Sequence, residues 1–272
     1  MSSTHAFGIH AFGCNFQIES TSFEVETILD RYIFPSLPRH VSGADLPDIV
    51  VRVAGIAEEL QASVNGVPVA TACHAIDLVP ALVRVLDDAV IQRLNGLRAV
   101  HAGAVLWEGR ALLFPGATHA GKSSLVAELL RNGATYFSDE YALLDSEGWA
   151  HPYPRPLLLR NGCPDPLPLL AGECNASIGK GPAPVGWILF LEYQPGCEWS
   201  VAAVPQSEAV LALLRNTPHA WVDSPDLVGV FRRAVAGASC YSGRRADAVD
   251  AAGQILQLVG GPLQQPREHA RQ

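Results

Sequence analysis

The sequence reads as an α/β protein in two parts, a small α/β N-terminal domain over residues 1–95 and a larger P-loop domain over 96–261, with a flexible tail at 262–272. Three observations carry this. Strand-like and helix-like periodicities alternate along the chain. A G-x-x-x-x-G-K-[ST] loop stands between an apolar strand and an amphipathic helix. Finally, 272 residues that are 49% hydrophobic and only 17% charged can bury a core and are too apolar for a disordered chain.

In the first part, residues 48–54 and 60–72 alternate or run apolar about Asn65-Gly66, as a hairpin would. After Asp77, a residue suited to an N-cap, 78–94 carries apolar residues at helical spacing, with Pro80 in its first turn and Asn95-Gly96 as its stop. Two strands are expected at 98–107 and 110–115, turning tightly at Glu108-Gly109. A helix over 122–132 ends at Gly133, and short strands follow at 134–138 and 141–145. Eight prolines between 151 and 184 exclude regular helix there and predict a loop with short extended pieces. Such long loops are usually functional or mobile. Beyond it, 185–193 (VGWILFLEY) reads as a buried strand and 199–204 as another. Helices are expected at about 206–215, 224–236 and 246–258.

Charge and cysteine content narrow the function classes. A net charge of -8 repels phosphate backbones, so nucleic acid is not an expected partner. No apolar run is long enough to span a bilayer and no basic region opens a signal peptide, so a cytoplasmic protein with no membrane partner is expected. Cys14, Cys73, Cys163, Cys174, Cys197 and Cys240 are scattered without a C-x-x-C pair, which reads as free thiols and disfavours zinc. Against 17 arginines the lysines are Lys122 and Lys180, so the position of each is informative.

Lys122 falls in the loop Gly116-Ala117-Thr118-His119-Ala120-Gly121-Lys122-Ser123, followed by Ser124. The two glycines let the backbone curl so that successive N–H groups face a phosphate, Lys122 adds positive charge, and the Ser123 hydroxyl can ligate Mg²⁺. The N-terminus of the following helix points its positive end at the same phosphates. Asp139-Glu140, 17 residues after the lysine, leaves room for one helix and one returning strand, so both carboxylates are expected at the mouth of the loop. One can hold Mg²⁺ while the other accepts a hydroxyl proton. His101 lies on the strand before the loop strand. Histidine in an apolar strand is commonly a core residue, but the tight turn brings this one back toward the loop. Arg155 and Arg160, in the Pro-rich segment, can clamp a transferring phosphate through their forked donors. Lys180 reads equally as a lid residue or a surface one.

The run His101–Leu144 (HAGAVLWEGRALLFPGATHAGKSSLVAELLRNGATYFSDEYALL) resembles the catalytic core of the HPr kinase/phosphorylase-related family, with weaker similarity at VGWILFLEY and CYSGRRADAV. It looks most like the branch that includes kinases of ribosomally made precursor peptides, such as lasso-peptide precursors. The resemblance implies a phosphoenolpyruvate carboxykinase-like, HPr-kinase-like domain with a mixed sheet around the nucleotide. It implies ATP and Mg²⁺ as cofactors, Lys122 on the β- and γ-phosphates, Ser123 and Glu140 on the metal, Asp139 as general base, and His101 supporting base or phosphate. Three features differ from HPr kinases: Ala117-Thr118-His119 in the loop, Glu140 in place of a second Asp, and PYPRPLLLRNG where an Arg-Gly-Leu-Gly signature would stand. These point to a hydroxyl acceptor other than HPr.

The expected function is therefore an ATP- and Mg²⁺-dependent kinase acting on a serine of a precursor peptide or small protein. The first 95 residues would recognise the acceptor or mediate homo-oligomerisation. A kinase of a small hydroxylated metabolite and a non-catalytic nucleotide-binding regulatory module are the alternatives.

Overall fold

The computed structural model describes residues 5–35, 37–40, 46–56, 59–117, 120–160, 162, 165–218 and 224–260. The expectations for Thr118, His119, Cys163 and the tail 262–272 fall outside these residues. The chain is mixed α/β and divides into two compact units, one formed by Met1–Asn95 with Pro154–Leu170, the other by Gly96–Tyr153 with Ala171–Gln272. The sequence reading assigns the Pro-rich segment wholly to the second part. Its stretch 154–170 belongs instead to the first.

In the first unit, β1 (His5–Ala11) and β2 (Cys14–Ser20) form an antiparallel hairpin, and β2 runs parallel to β4 (Ile49–Ile56). With β3 (Arg39–His40), β5 (Glu59–Val64) and β6 (Val67–Ala72) they make a six-stranded sheet in the order β3-β1-β2-β4-β5-β6. Asn65-Gly66 does turn a hairpin, with φ of 49° and 80°, but it joins β5 to β6, and the apolar run 60–72 is two strands rather than one. Alternate residues Phe16, Ile18, Val51 and Val53 are buried, as one face of a sheet covered by helices requires. Helix α1 (Phe23–Tyr32) starts where the Ser22 hydroxyl accepts from the Val25 amide. Helix α2 (Ala75–Arg93) packs on α1, β5 and β6. It begins three residues before the expected start, with His74 and not Asp77 at its cap, so Pro80 lies in the second turn and deprives the Ile76 carbonyl of its helical donor. The returning segment adds β12 (Leu157–Leu159) and β13 (Leu167–Leu169), an antiparallel pair of which β13 packs on α2.

The second unit is built on an eight-stranded mixed sheet. β7 (Arg98–Trp107) pairs antiparallel with β8 (Arg110–Pro115) through a turn at Glu108-Gly109, where φ is 47° and 77°. β14 (Val185–Tyr193) runs parallel to β8, and β16 (Ser239–Arg245) parallel to β14, with β15 (Ser200–Ala203) antiparallel at that edge. Beyond β7, on its other side, lie β9 (Thr135–Ser138), β10 (Tyr141–Leu144) and β11 (Ala150–His151). Ala102 and Ala104 of β7 join a core cluster with Leu213 of α4 (Gln206–Arg215) and Val230 and Phe231 of α5 (Leu227–Ala236). The intervening Gly103 faces the opposite way, toward α3 (Lys122–Arg131). The sheet is thus covered on both faces. The final helix, α6 (Ala248–Val259), packs on α3.

Among the described residues, no helix is long and apolar enough to cross a membrane. Cys14, Cys73, Cys174, Cys197 and Cys240 are all free thiols.

Candidate active site

The site is laid out by the hydrogen-bond register of β7. On one side, Ala102 pairs with Pro115 and the Gly116 amide donates to the His101 carbonyl at 3.1 Å, so the loop leaves the sheet opposite His101–Ala102. On the other side, β9 ends with Ser138 opposite Ala104 and β10 begins with Tyr141 opposite His101. Asp139 and Glu140 fill the break between these two strands, and the Ala102 amide donates to the Glu140 carbonyl at 3.0 Å. The Ser138 hydroxyl accepts from the amides of Glu140 and Tyr141, which holds the break in shape. Two residues of one strand therefore separate the Gly116–Lys122 loop from the acidic pair.

At the loop itself, Gly121 sits at φ +73° immediately before α3, a conformation that favours glycine. The Lys122 side chain is nearly buried and folds back so that Nζ donates to the Gly116 carbonyl at 2.9 Å and the Ala117 carbonyl at 3.1 Å. This closes the first arm of the loop around the ammonium. Ser123 is half-buried and Ser124 exposed at the start of α3. Gly103 is what allows α3 so close: a Cβ there would lie 2.7 Å from Val126 Cγ2 and 3.7 Å from Lys122 Cβ.

The acidic residues differ in setting. Asp139 is fully buried, and the Tyr136 hydroxyl donates to its Oδ1 at 3.3 Å. Glu140 is partly open, with Oε1 3.4 Å from His101 Nδ1. The two groups are neighbours at that distance, but the alignment is not that of a hydrogen bond. The His101 ring also tilts against Tyr141, with centroids 4.5 Å apart. Lys122, Asp139, Glu140 and His101 are thus gathered about the same stretch of β7.

Arg155 does not fit the expected phosphate clamp. It belongs to the first unit, is only 3% exposed, and its Nη2 lies 3.1 Å from Asp87 Oδ2 on α2. A buried guanidinium held by a buried carboxylate is committed to that pair. Arg160 belongs to the same unit and is exposed. Lys180 is exposed on the second unit.

Arg245, at the end of β16, is a site residue that the sequence reading did not single out. Its Nη2 donates to the carbonyls of Ala120 at 3.0 Å and Gly121 at 2.9 Å, and its Nη1 to the Ala246 carbonyl. A Cβ on Gly121 would meet that Nη2 at 2.5 Å. Burial pulls the Arg245 pKa below its ordinary value, opposed by the nearby Tyr193, Asp247 and Cys197, yet arginine stays charged throughout the working range. Two cations therefore hold four carbonyls of the loop, Lys122 those of Gly116 and Ala117 and Arg245 those of Ala120 and Gly121. The signal for Arg245 is faint, since Ser-Cys-Tyr-Ser-Gly-Arg-Arg lacks the apolar alternation of a strand.

The oxygen donors near the loop, the Ser123 hydroxyl and the two carboxylates, are hard ligands of the kind Mg²⁺ prefers. No cluster of three or more His, Cys, Asp or Glu side chains suited to holding a metal occurs among the described residues. Mg²⁺ commonly takes only one or two protein carboxylates alongside phosphate oxygens and water. The donor set suits that mode.

Neither a family model nor a curated protein sequence matches the chain.

Proposed function

We propose that this chain is a kinase that uses ATP and Mg²⁺ to phosphorylate a hydroxyl, with a serine of a peptide or small protein as its acceptor. The observation that carries the reading is the β7 register, which sets Pro115–Gly116 on one flank of His101–Ala102 and Asp139–Glu140 on the other. Phosphoryl transfer needs little covalent chemistry from a protein; it needs a held triphosphate, neutralised charge and a base beside the incoming hydroxyl. The curled loop and Lys122 would hold the β- and γ-phosphates, and Ser123 with Glu140 would hold Mg²⁺, which neutralises charge on the phosphate oxygens. Asp139 would take the hydroxyl proton as the acceptor oxygen bonds to the γ-phosphorus and the bond to the β-γ bridging oxygen breaks, releasing ADP. His101, beside Glu140, would orient that carboxylate. A domain of the phosphoenolpyruvate carboxykinase type is the finer fold we propose, supported by a P-loop strand that is antiparallel to one neighbour and parallel to the other.

The test is phosphorylation of serine peptides and of polyols by wild type, Asp139→Asn and Glu140→Gln, with the products weighed by mass spectrometry. Wild type should add one phosphate to a peptide. Asp139→Asn should bind ATP normally and lose transfer by about 10²- to 10⁴-fold. Glu140→Gln should instead raise the Mg²⁺ concentration needed for half-maximal rate. Undiminished turnover by Asp139→Asn would remove that residue as the base. ATP binding with no product from any acceptor would favour a regulatory module.

A further inference from the structure

We infer that Tyr193 is the platform on which the base of a bound nucleotide stacks, with Arg245 fixing its ring beside the phosphate loop. The inference rests on the nucleotide-binding reading above and extends it to the other end of the ligand. β8, β14 and β16 are parallel neighbours, so Pro115, Tyr193 and Arg245 end their strands at one edge of the sheet. Ligands of open α/β sheets bind outside that carboxyl edge. β14 outruns β8: Ile188 lies opposite Leu113, so Tyr193 stands three positions beyond the level of Pro115, about 10 Å farther at the rise of a strand. A ring at that height stands alongside the loop rather than beneath it.

One side chain joins the ring to the loop. Arg245 is the register partner of Tyr193, and its guanidinium carbon lies 5.3 Å from the ring centroid, over one face. The same guanidinium is the donor to Ala120 and Gly121, and only 2% of the residue is exposed. Tyr193 itself is 43% exposed. A lone exposed tyrosine needs no explanation. A tyrosine whose ring is held on one side by a buried arginine tied to the phosphate loop, and which still keeps 43% of its surface exposed, is positioned before any ligand arrives. Stacking is sequence-tolerant because every base has a π face, and a cation over a ring adds to its hold.

Calorimetric titration of full-length wild type, Tyr193→Leu and Tyr193→Phe with Mg²⁺-ATP and with Mg²⁺-tripolyphosphate tests this. Tyr193→Leu should weaken ATP binding by about 5- to 100-fold, the range for loss of one base–aromatic stack, and leave tripolyphosphate binding unchanged. Tyr193→Phe, which keeps the ring, should restore ATP affinity. Equal weakening of both ligands in Tyr193→Leu would mark a merely structural ring and overturn the inference, as would weakening of neither. If wild type binds tripolyphosphate as tightly as ATP, the platform is wrong while the loop stands. If wild type binds neither, the nucleotide reading falls and this inference with it.

Discussion

Asp145 closes the β10–β11 turn with a single side chain. Its Oδ1 accepts from the amides of Glu147 and Trp149, both at 2.9 Å, and its Oδ2 lies 2.8 Å from His151 Nε2. Burial pushes this carboxyl's pKa up, but the bonds from His151, Trp149 and Glu147 outweigh it and hold the group below its ordinary value. A carboxyl depressed in the folded state stabilises it fully above the unfolded pKa of about 3.9, and that contribution fades as pH falls through the lower folded value. Asp145→Ala should therefore cost about 1–2 kcal/mol in urea unfolding at pH 7, and the gap from wild type should narrow below about pH 4. A gap that stays constant with pH would mean that the ionised carboxylate is not its source. Single residues were legible in the sequence where backbone geometry demands a fixed residue type, as at Gly121, whose φ of +73° precedes α3. Arg245 was not, because its partners at Ala120 and Gly121 lie more than a hundred residues earlier in the chain. Arg155 misled for a related reason: its position in a proline-rich stretch suggests an exposed loop, and nothing local reveals the carboxylate of Asp87 waiting for it.

Elements were legible where their own pattern decides them. The strands at 98–107, 110–115 and 185–193 are long, apolar and bounded by turns or prolines, and the helix at 206–215 has a clean 3.6 period. β1 and β2 went unread because the turn between them holds Phe12 at φ +53°, where Asn or Asp would give a stronger signal. β16 is a strand because β14 and β15 flank it, a tertiary cause that overrides its polar sequence. The contact between β7 and α3 is the element-scale feature on which the site depends, and Gly103 permits it. A Cβ 2.7 Å from Val126 Cγ2 requires either that methyl or the helix carrying it, with Lys122 and Ser123, to shift. Gly103→Ala should destabilise the protein by about 1–3 kcal/mol as an overpacked contact. In a Val126→Ala background, which removes the clashing methyl, the same change should cost clearly less, since residues in contact are not additive. Thermal unfolding of the four proteins of that cycle decides it, and strict additivity would show that the two residues do not meet.

At the scale of the whole chain, the boundary near residue 95 coincides with an Asn-Gly stop signal after a long helix, which is why it could be read locally. The crossing of 154–170 into the first unit could not, since prolines announce irregular backbone without saying which core receives it. Yet this segment brings buried Leu157 and Leu159, a strand against α2, and the guanidinium of Arg155 to a carboxylate that is itself only 4% exposed. Removing one partner of a buried ion pair costs about 3–5 kcal/mol, comparable to the whole stability of many small domains. Residues 1–95 alone should therefore lack a cooperative thermal transition. The same residues joined through a flexible Gly/Ser linker to 154–170 should regain one, and Arg155→Ala in the joined chain should abolish most of the gain. Replacing the pair together, as Asp87→Leu with Arg155→Met, should restore stability, because an apolar pair of similar volume avoids the desolvation that the charges incur. If 1–95 melts cooperatively at the same temperature as the joined chain, the segment contributes nothing to that core. The buried pair would then be incidental to the first unit's stability.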